Sequence, residues 1–187
     1  FNCHAALEMS LRGGRSPRRS NLFTAAEIAS QRTLAMTYEV LIVGAGPAGL
    51  STAIELKKQG IKNILIVDRE PEAGGMPRMC HHTGFGREDL WRMFSGPRYA
   101  RYYRELAVKH DVEIRTSTTI MGWKDVAEDG GSSRLIFTSP NGLGEIEAGA
   151  ILLATGVRER PRAARLIPGT RPQGVFTTGS LQRFVYQ

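Results

Sequence analysis

Residues able to do chemistry concentrate in two stretches of this chain. The first is Gly44-Ala45-Gly46-Pro47-Ala48-Gly49, followed further on by the carboxylate of Asp68. Gly44 lets the chain turn sharply, and Gly46 lets a phosphate approach the backbone. Gly49 lets a following helix pack close to a preceding strand. Pro47 suits a first helical turn, where its missing N–H costs nothing, and Ala48 follows it there. The free N–H groups and partial positive charge of such a helix start attract a pyrophosphate. Asp68 lies about twenty residues beyond, where a carboxylate accepts from a ribose diol and disfavours a 2′-phosphate. The second stretch is residues 76–86, MPRMCHHTGFG, which carries Arg78, Cys80, His81 and His82. Adjacent histidines are poorly spaced for one metal ion, so no metal site is read here. No second cysteine lies near Cys80, so a packed thiol is the simpler reading of it.

The elements that must position these residues follow from apolar runs. Val40-Leu41-Ile42-Val43 and Ile64-Leu65-Ile66-Val67 are too short for helices and suit buried parallel strands. Between them a helix runs to Gly60, a natural stop. Strand, glycine turn, helix, strand and acidic end therefore stand in register as a dinucleotide-binding βαβ unit. Arg69 and the pair Gly74-Gly75 follow in DREPEAGG; taken alone, the pair reads equally as a loop reaching a ligand or as a surface turn. Two helices are expected next. One starts at Glu88-Asp89 with Leu90, Met93 and Phe94 as its stripe. After a break at Gly96-Pro97, the other spans residues 98–110 and buries Tyr99, Tyr102, Tyr103, Leu106 and Ala107. Core packing explains these tyrosines better than nucleic-acid stacking. Residues 112–114 read as a strand. Residues 120–126, 134–139 and 143–148 read as an antiparallel meander, with turns at Gly130-Gly131 and Asn141-Gly142. A separate buried strand, 150–154, ends in Thr155-Gly156, where parallel sheets bind ligands.

The 187 residues suffice for one or two domains. The net charge is +7, of which +3 falls in residues 1–35, and the remainder implies no nucleic-acid partner. That basic segment reads as a disordered or non-native leader; a mitochondrial presequence is the lesser alternative. No apolar run approaches membrane-spanning length, so no transmembrane segment is expected. Cys3 and Cys80 make no disulfide framework, which points to a reducing, cytoplasmic setting.

GAGPAGL, DREPEAGG and ILLATG, in that order, resemble the FAD domain of the two-dinucleotide-binding-domain flavoproteins. This is the pyridine nucleotide-disulfide oxidoreductase superfamily of thioredoxin and glutathione reductases. The resemblance covers residues 37–168 and implies a Rossmann-like α/β domain with flanking helices and an inserted antiparallel meander. It implies FAD as cofactor, with Gly44, Gly46, Pro47, Ala48 and Gly49 at the pyrophosphate and Asp68 and Arg69 beside the adenosine ribose. Gly74, Gly75 and Met76 would approach the cofactor, the backbone at Ile120 would meet adenine, and Thr155 and Gly156 would close the site. Arg78, His81 and His82 become candidates for polar contacts near the flavin.

A narrower resemblance rests on GGMPRMCHHTGFG, SGPRYARYY and LLATGVRERPRAARLIPGTRPQGVFTTGSLQRFVYQ. It is to the FAD subunits of opine oxidase, hydrogen cyanide synthase and related amino-acid or sarcosine dehydrogenases. It implies oxidation of a C–N bond of an amine or amino acid. Electrons would pass from FAD to an iron–sulfur partner or a second flavoprotein subunit. The cysteine pair of glutathione reductase-like enzymes is absent. The chain stops before a second glycine fingerprint, so residues 36–168 are expected to be an incomplete FAD domain. Residues 169–187 would then begin the connection to a missing domain that would bind NAD(P). Two alternatives stand: an NAD(P)H-dependent flavoprotein reductase without a local redox disulfide, and an inactive fragment.

Overall fold

A computed structural model of the chain describes residues 36–126, 131–170 and 172–186. The expected leader, Cys3 and Gly130 lie outside the described residues. Strand β1 (Met36–Val43), helix α1 (Pro47–Lys58) and strand β2 (Ile64–Val67) form the expected βαβ unit. β1 and β2 are parallel, with Val40 opposite Ile64 and Val43 opposite Val67. All four residues of β2 are buried, which is why its run carries no polar alternation. α1 ends where Gly60 adopts φ +95°, with Lys57 and Lys58 in the last turn, where the helix dipole favours cations.

Six further strands and a second helix follow. Strands β3 (Thr83–Phe85) and β4 (Phe94–Ser95) form a two-stranded sheet, and helix α2 (Gly96–Lys109) comes directly after. Strands β5 (Glu113–Arg115), β6 (Thr119–Asp125), β7 (Ser133–Ser139) and β8 (Gly142–Leu153) complete the main sheet in the order β5-β2-β1-β8-β7-β6. The first four in that order are parallel, and β8, β7 and β6 are antiparallel.

Two expectations are corrected here. Residues 143–148 and 150–154 are not separate strands but one strand, β8. Its first half pairs antiparallel with β7, its second half pairs parallel with β1, and Ile146 and Ala148 are bonded on both sides. Gly149 alone does not interrupt a ladder held from two directions. The helix expected from Glu88 does not form either. Leu90 and Arg92 N–H groups both donate to the Gly86 carbonyl, Trp91 takes φ +52°, and Phe94 enters β4. Roughly two turns of helix would not offset the cost of nucleation. The Asp89 carboxylate is instead engaged from outside, by the hydroxyls of Tyr99 at 2.6 Å and Tyr103 at 2.7 Å. α2 also begins two residues earlier than expected, with Pro97 in its first turn.

The sheet buries both faces. On one, Ile42, Ile64 and Ile66 pack under Leu50, Ala53 and Ile54 of α1 and Tyr103 and Ala107 of α2. Of the residues expected on the buried side of α2, Tyr99 and Leu106 are half-buried, and Tyr102 is 37% exposed with its ring against Phe94 and Tyr103. On the other face, Leu41, Leu65 and Val67 pack against Leu135, Phe137 and Ile146. β1 and β8 lie between β2 and β7 in the sheet, so this second core runs continuously from the parallel strands across them onto the meander. Each fully buried Leu or Ile contributes about 2 kcal/mol. After β8 the chain makes a 3-10 turn at Arg162–Arg165 and helix α3 (Thr178–Tyr186). Among the described residues no helix is long and apolar enough to cross a membrane, and no cluster of side chains suits a metal ion.

The Asp89–tyrosine contact has a pH signature. Burial alone would raise the Asp89 carboxyl, but the two tyrosine hydroxyls together with the backbone amides of Asp89 and Leu90 outweigh it and hold it below its ordinary value of 3.8. Burial, then the bond to Asp89, pushes Tyr103 up to about 12, and Tyr99 moves the same way, so both remain donors at neutral pH. A lowered carboxyl contributes stability above its unfolded pKa and loses it as pH falls through the folded value. Asp89→Asn should therefore be less stable than the parent near neutral pH, and the gap should close in acid below 3.8. Urea unfolding at both extremes measures this; a gap independent of pH would mean the carboxylate charge is irrelevant.

Candidate functional site

The carboxyl ends of β1, β2 and β8 converge, and the glycine turn sits on them. Gly44 has φ +115°, and a Cβ there would lie 2.3 Å from the Ala154 carbonyl oxygen of the chain leaving β8. Only glycine admits that approach. The Gly44 N–H donates to the Val67 carbonyl at 2.7 Å, and the Ala45 N–H donates to Asp68 Oδ2 at 2.6 Å. The turn is thus tied twice to the end of β2, and on its other side the Ala154 N–H donates to the Val43 carbonyl at 2.9 Å. Gly49 packs α1 onto this turn: a Cβ would stand 2.0 Å from the Gly44 carbonyl oxygen.

Gly74-Gly75 is not a free surface turn. The Gly74 N–H donates to the Ala45 carbonyl at 2.7 Å, and Gly75, at φ +64°, lies so close that its Cβ would come 2.8 Å from Gly46 Cα. The loop after β2 therefore lies against the fingerprint. Gly46 itself is different. A Cβ built there meets no protein atom nearer than Gly75 Cα at 4.0 Å, so its open side faces unfilled space. α1 starts at Gly46 without a side-chain cap and without an acidic residue in its first turn. Its unsatisfied N–H groups and positive dipole end are thus free to hold an anion.

That space is a cleft of about 380 Å³. Of the residues singled out from the sequence, Gly44, Gly46, Pro47, Ala48, Asp68, Arg69, Gly75, Met76, Arg78, Thr155 and Gly156 line it. Gly49 and Gly74 lie buried behind it as packing positions. Ile120 is not among the lining residues; it sits on β6 and packs against the second core. His81 and His82 are exposed and off the cleft. His81 stacks on Tyr186 at 4.1 Å between ring centroids, and His82 Nδ1 lies 3.0 Å from the Thr83 carbonyl oxygen. Cys80 is a half-buried free thiol that does not line the cleft, and its carbonyl accepts from the Gly96 N–H at the start of α2.

The charged groups of the cleft are mostly engaged. Asp68 accepts from the Ala45 N–H and, through Oδ1, from the Glu70 N–H at 2.9 Å, which leaves lone pairs on both oxygens. Arg78 donates to the Glu72 carbonyl at 2.6 Å and lies 3.3 Å from its carboxylate. Glu70 pairs with Arg183 of α3 at 2.5 Å. Sequence reasoning missed Glu70, Val157 and Arg183 at the cleft. Glu70 belongs to the DREPEAGG motif and could have been found there; nothing in the sequence connects Arg183 to a residue 113 positions away. Among the described residues, no His, Cys, Lys or Ser lines the cleft.

Comparison with known proteins agrees with this geometry. An opine oxidase subunit of Agrobacterium tumefaciens (strain Ach5) is 28% identical over 163 residues, which span 85% of this chain and 31% of that protein. Hydrogen cyanide synthase subunit HcnB of Pseudomonas aeruginosa is 29% identical over 152 residues, 79% of this chain and 30% of that one. The chain thus spans less than a third of the length of these relatives. Among solved structures, L-proline dehydrogenase from P. horikoshii superposes with a TM-score of 0.55 at 22% identity, over 65% of this chain and 23% of that one. This likeness shows the shared fold. The model of the pyridine nucleotide-disulphide oxidoreductase family matches residues 38–184, and the chain belongs to that family.

Proposed function

We propose that this chain is the FAD-binding part of an oxidoreductase that oxidises a carbon–nitrogen bond of an amino acid, opine or related amine. The observation that carries the cofactor is the unfilled space at Gly46, before an uncapped helix start and beside the Gly75 loop. The pyrophosphate would take the first-turn N–H groups of α1, and Asp68 would use its remaining lone pairs on the adenosine ribose. Arg69 and Met76 would border the ligand, and Thr155-Gly156 would cover it where the chain leaves β8. Bound FAD would supply the acceptor for a hydride from the carbon bearing nitrogen. The residues of this chain bind and orient it and narrow its exposure to water. The substrate class is supported by the similarity to the opine oxidase subunit over most of the chain. That relative and HcnB are subunits by name, which supports electron transfer to a partner subunit. The family description also names pyridine nucleotides, which favours a second reading as an NAD(P)H-dependent reductase. Anaerobic bleaching of the flavin by amino acids or opines, as against NADH or NADPH, separates the two.

Gly46→Val places a branched side chain in the unfilled space and should abolish FAD retention while the chain still folds, read by circular dichroism and flavin absorbance. Full flavin content in that variant would remove the pyrophosphate from this position. Asp68→Asn should weaken FAD by about 1.5–3 kcal/mol, the range for a hydrogen bond to a charged group. It should also lower the stability of the FAD-free chain, because the carboxylate holds the Ala45 and Glu70 amides. Calorimetric titration giving the parent affinity would deny Asp68 a ligand role. Cys80→Ser should leave substrate-driven flavin reduction near the parent rate, since the thiol does not line the cleft and has no described cysteine partner. A loss of about a thousandfold, roughly 4 kcal/mol in barrier, with FAD still bound would restore a thiol mechanism.

A further inference from the structure

A second, smaller cavity of about 170 Å³ adjoins the cleft, lined in part by Glu72, Arg78, Pro97, Arg101, Arg104 and Tyr186. Arg78 lines both spaces and forms part of the wall between them. Among the described residues, Glu72 is the one carboxylate in this lining, against three guanidinium groups. It engages Arg78 through its carbonyl at 2.6 Å and its carboxylate at 3.3 Å, and it engages Arg104 through Oε1. Arg101 makes no ion pair among the described residues. Two positive charges therefore remain uncompensated around a small cavity.

The arrangement works against its own stability. Arg101 and Arg104 stand three residues apart on α2, a spacing at which like charges on a helix repel. The cavity also lies beside the first turn of α2, which has no side-chain cap and no acidic residue, so the helix dipole adds to the same positive potential. Surplus guanidinium donors in fixed positions match the oxygens of a carboxylate or phosphate, which they bind in pairs. Arg78 is only 15% exposed and Arg104 35%, so their charges are less screened than those of free surface side chains.

We propose that this cavity is an anion site, distinct from the pyrophosphate position, that takes one carboxylate or phosphate group of a small molecule. Arg101 is its uncompensated donor, Arg104 and Arg78 flank it, and Glu72 fixes those two in place. A molecule held here by one anionic end sits next to the cofactor cleft, across Arg78. The inference does not depend on which redox reaction the cleft serves.

The test uses thermal unfolding of the chain with FAD in excess, so that the α1 helix start is not available to added phosphate. Potassium phosphate and sodium succinate are titrated separately, with chloride holding ionic strength constant. One or both should raise Tm saturably, as ligand linkage requires, and the responding probe tells phosphate from carboxylate. Arg101→Gln should weaken the responding anion by about tenfold or more, the loss of a charged hydrogen bond. Arg98→Gln, a change on the same helix outside the cavity, should leave the response intact. Arg101 is exposed, so its replacement should not prevent folding; the variant's own Tm in chloride checks this. No rise beyond chloride with either anion, or an equal rise in Arg101→Gln, overturns the site.

Discussion

The bond from the Ala45 N–H to the Asp68 carboxylate, 2.6 Å long, is the contact on which the cleft depends. It fixes the end of β2 to the turn that leaves β1. The Gly44 N–H repeats the tie through the Val67 carbonyl. With both strand ends held, the turn has one way to enter α1, and the helix start is aimed along the cleft. An ionised acceptor makes such bonds about twice as strong as neutral ones. Asp68 therefore has a structural task in addition to any ligand it meets, and a carboxylate at that position serves the fold even before a cofactor arrives.

Around that tie, close backbone approach does the shaping. β8 leaves the sheet against Gly44, and the loop after β2 closes against Gly46 through Gly75. Neither contact tolerates a Cβ on the glycine concerned. The one direction in which Gly46 meets nothing is therefore conspicuous by comparison: a fold that fills its space with backbone elsewhere leaves this side open. Packing in protein interiors is dense, so an unfilled face beside unsatisfied N–H groups is where a ligand belongs.

Charge is distributed unevenly over the same region. The carboxylates Asp68, Glu70 and Glu72 all lie in the loop after β2, and each is taken by amides or arginines. Arg69 and Arg78 pair with Glu70 and Glu72 locally, and two further arginines come from the helices, Arg104 from α2 and Arg183 from α3. This loop thus gathers the helices that flank it. Around Glu72 the cations outnumber the carboxylate, and the second cavity carries the excess.

The sequence by itself determined the βαβ unit, the fingerprint glycines and the acidic strand end. Those features are local: strand and helix periods, positive-φ glycines and an uncapped helix start are written within some thirty consecutive residues. It also determined the family, through short motifs in a fixed order. What only the tertiary structure decided depended on partners distant in the chain. Gly142–Leu153 became one strand because β7 and β1 hold its two halves, and no turn signal within it records that. Residues 88–94 look helical in isolation. They are too few to offset helix nucleation and form a turn and short strand, with Asp89 held by two tyrosine hydroxyls from α2. Ile120 packs against the second core, which forms only when the meander strands pair with β8. The pairing of Arg183 with Glu70, and of Arg104 with Glu72, exists only once the helices pack. Side-chain charge is visible in a sequence, but the distance between two charges is set by the fold.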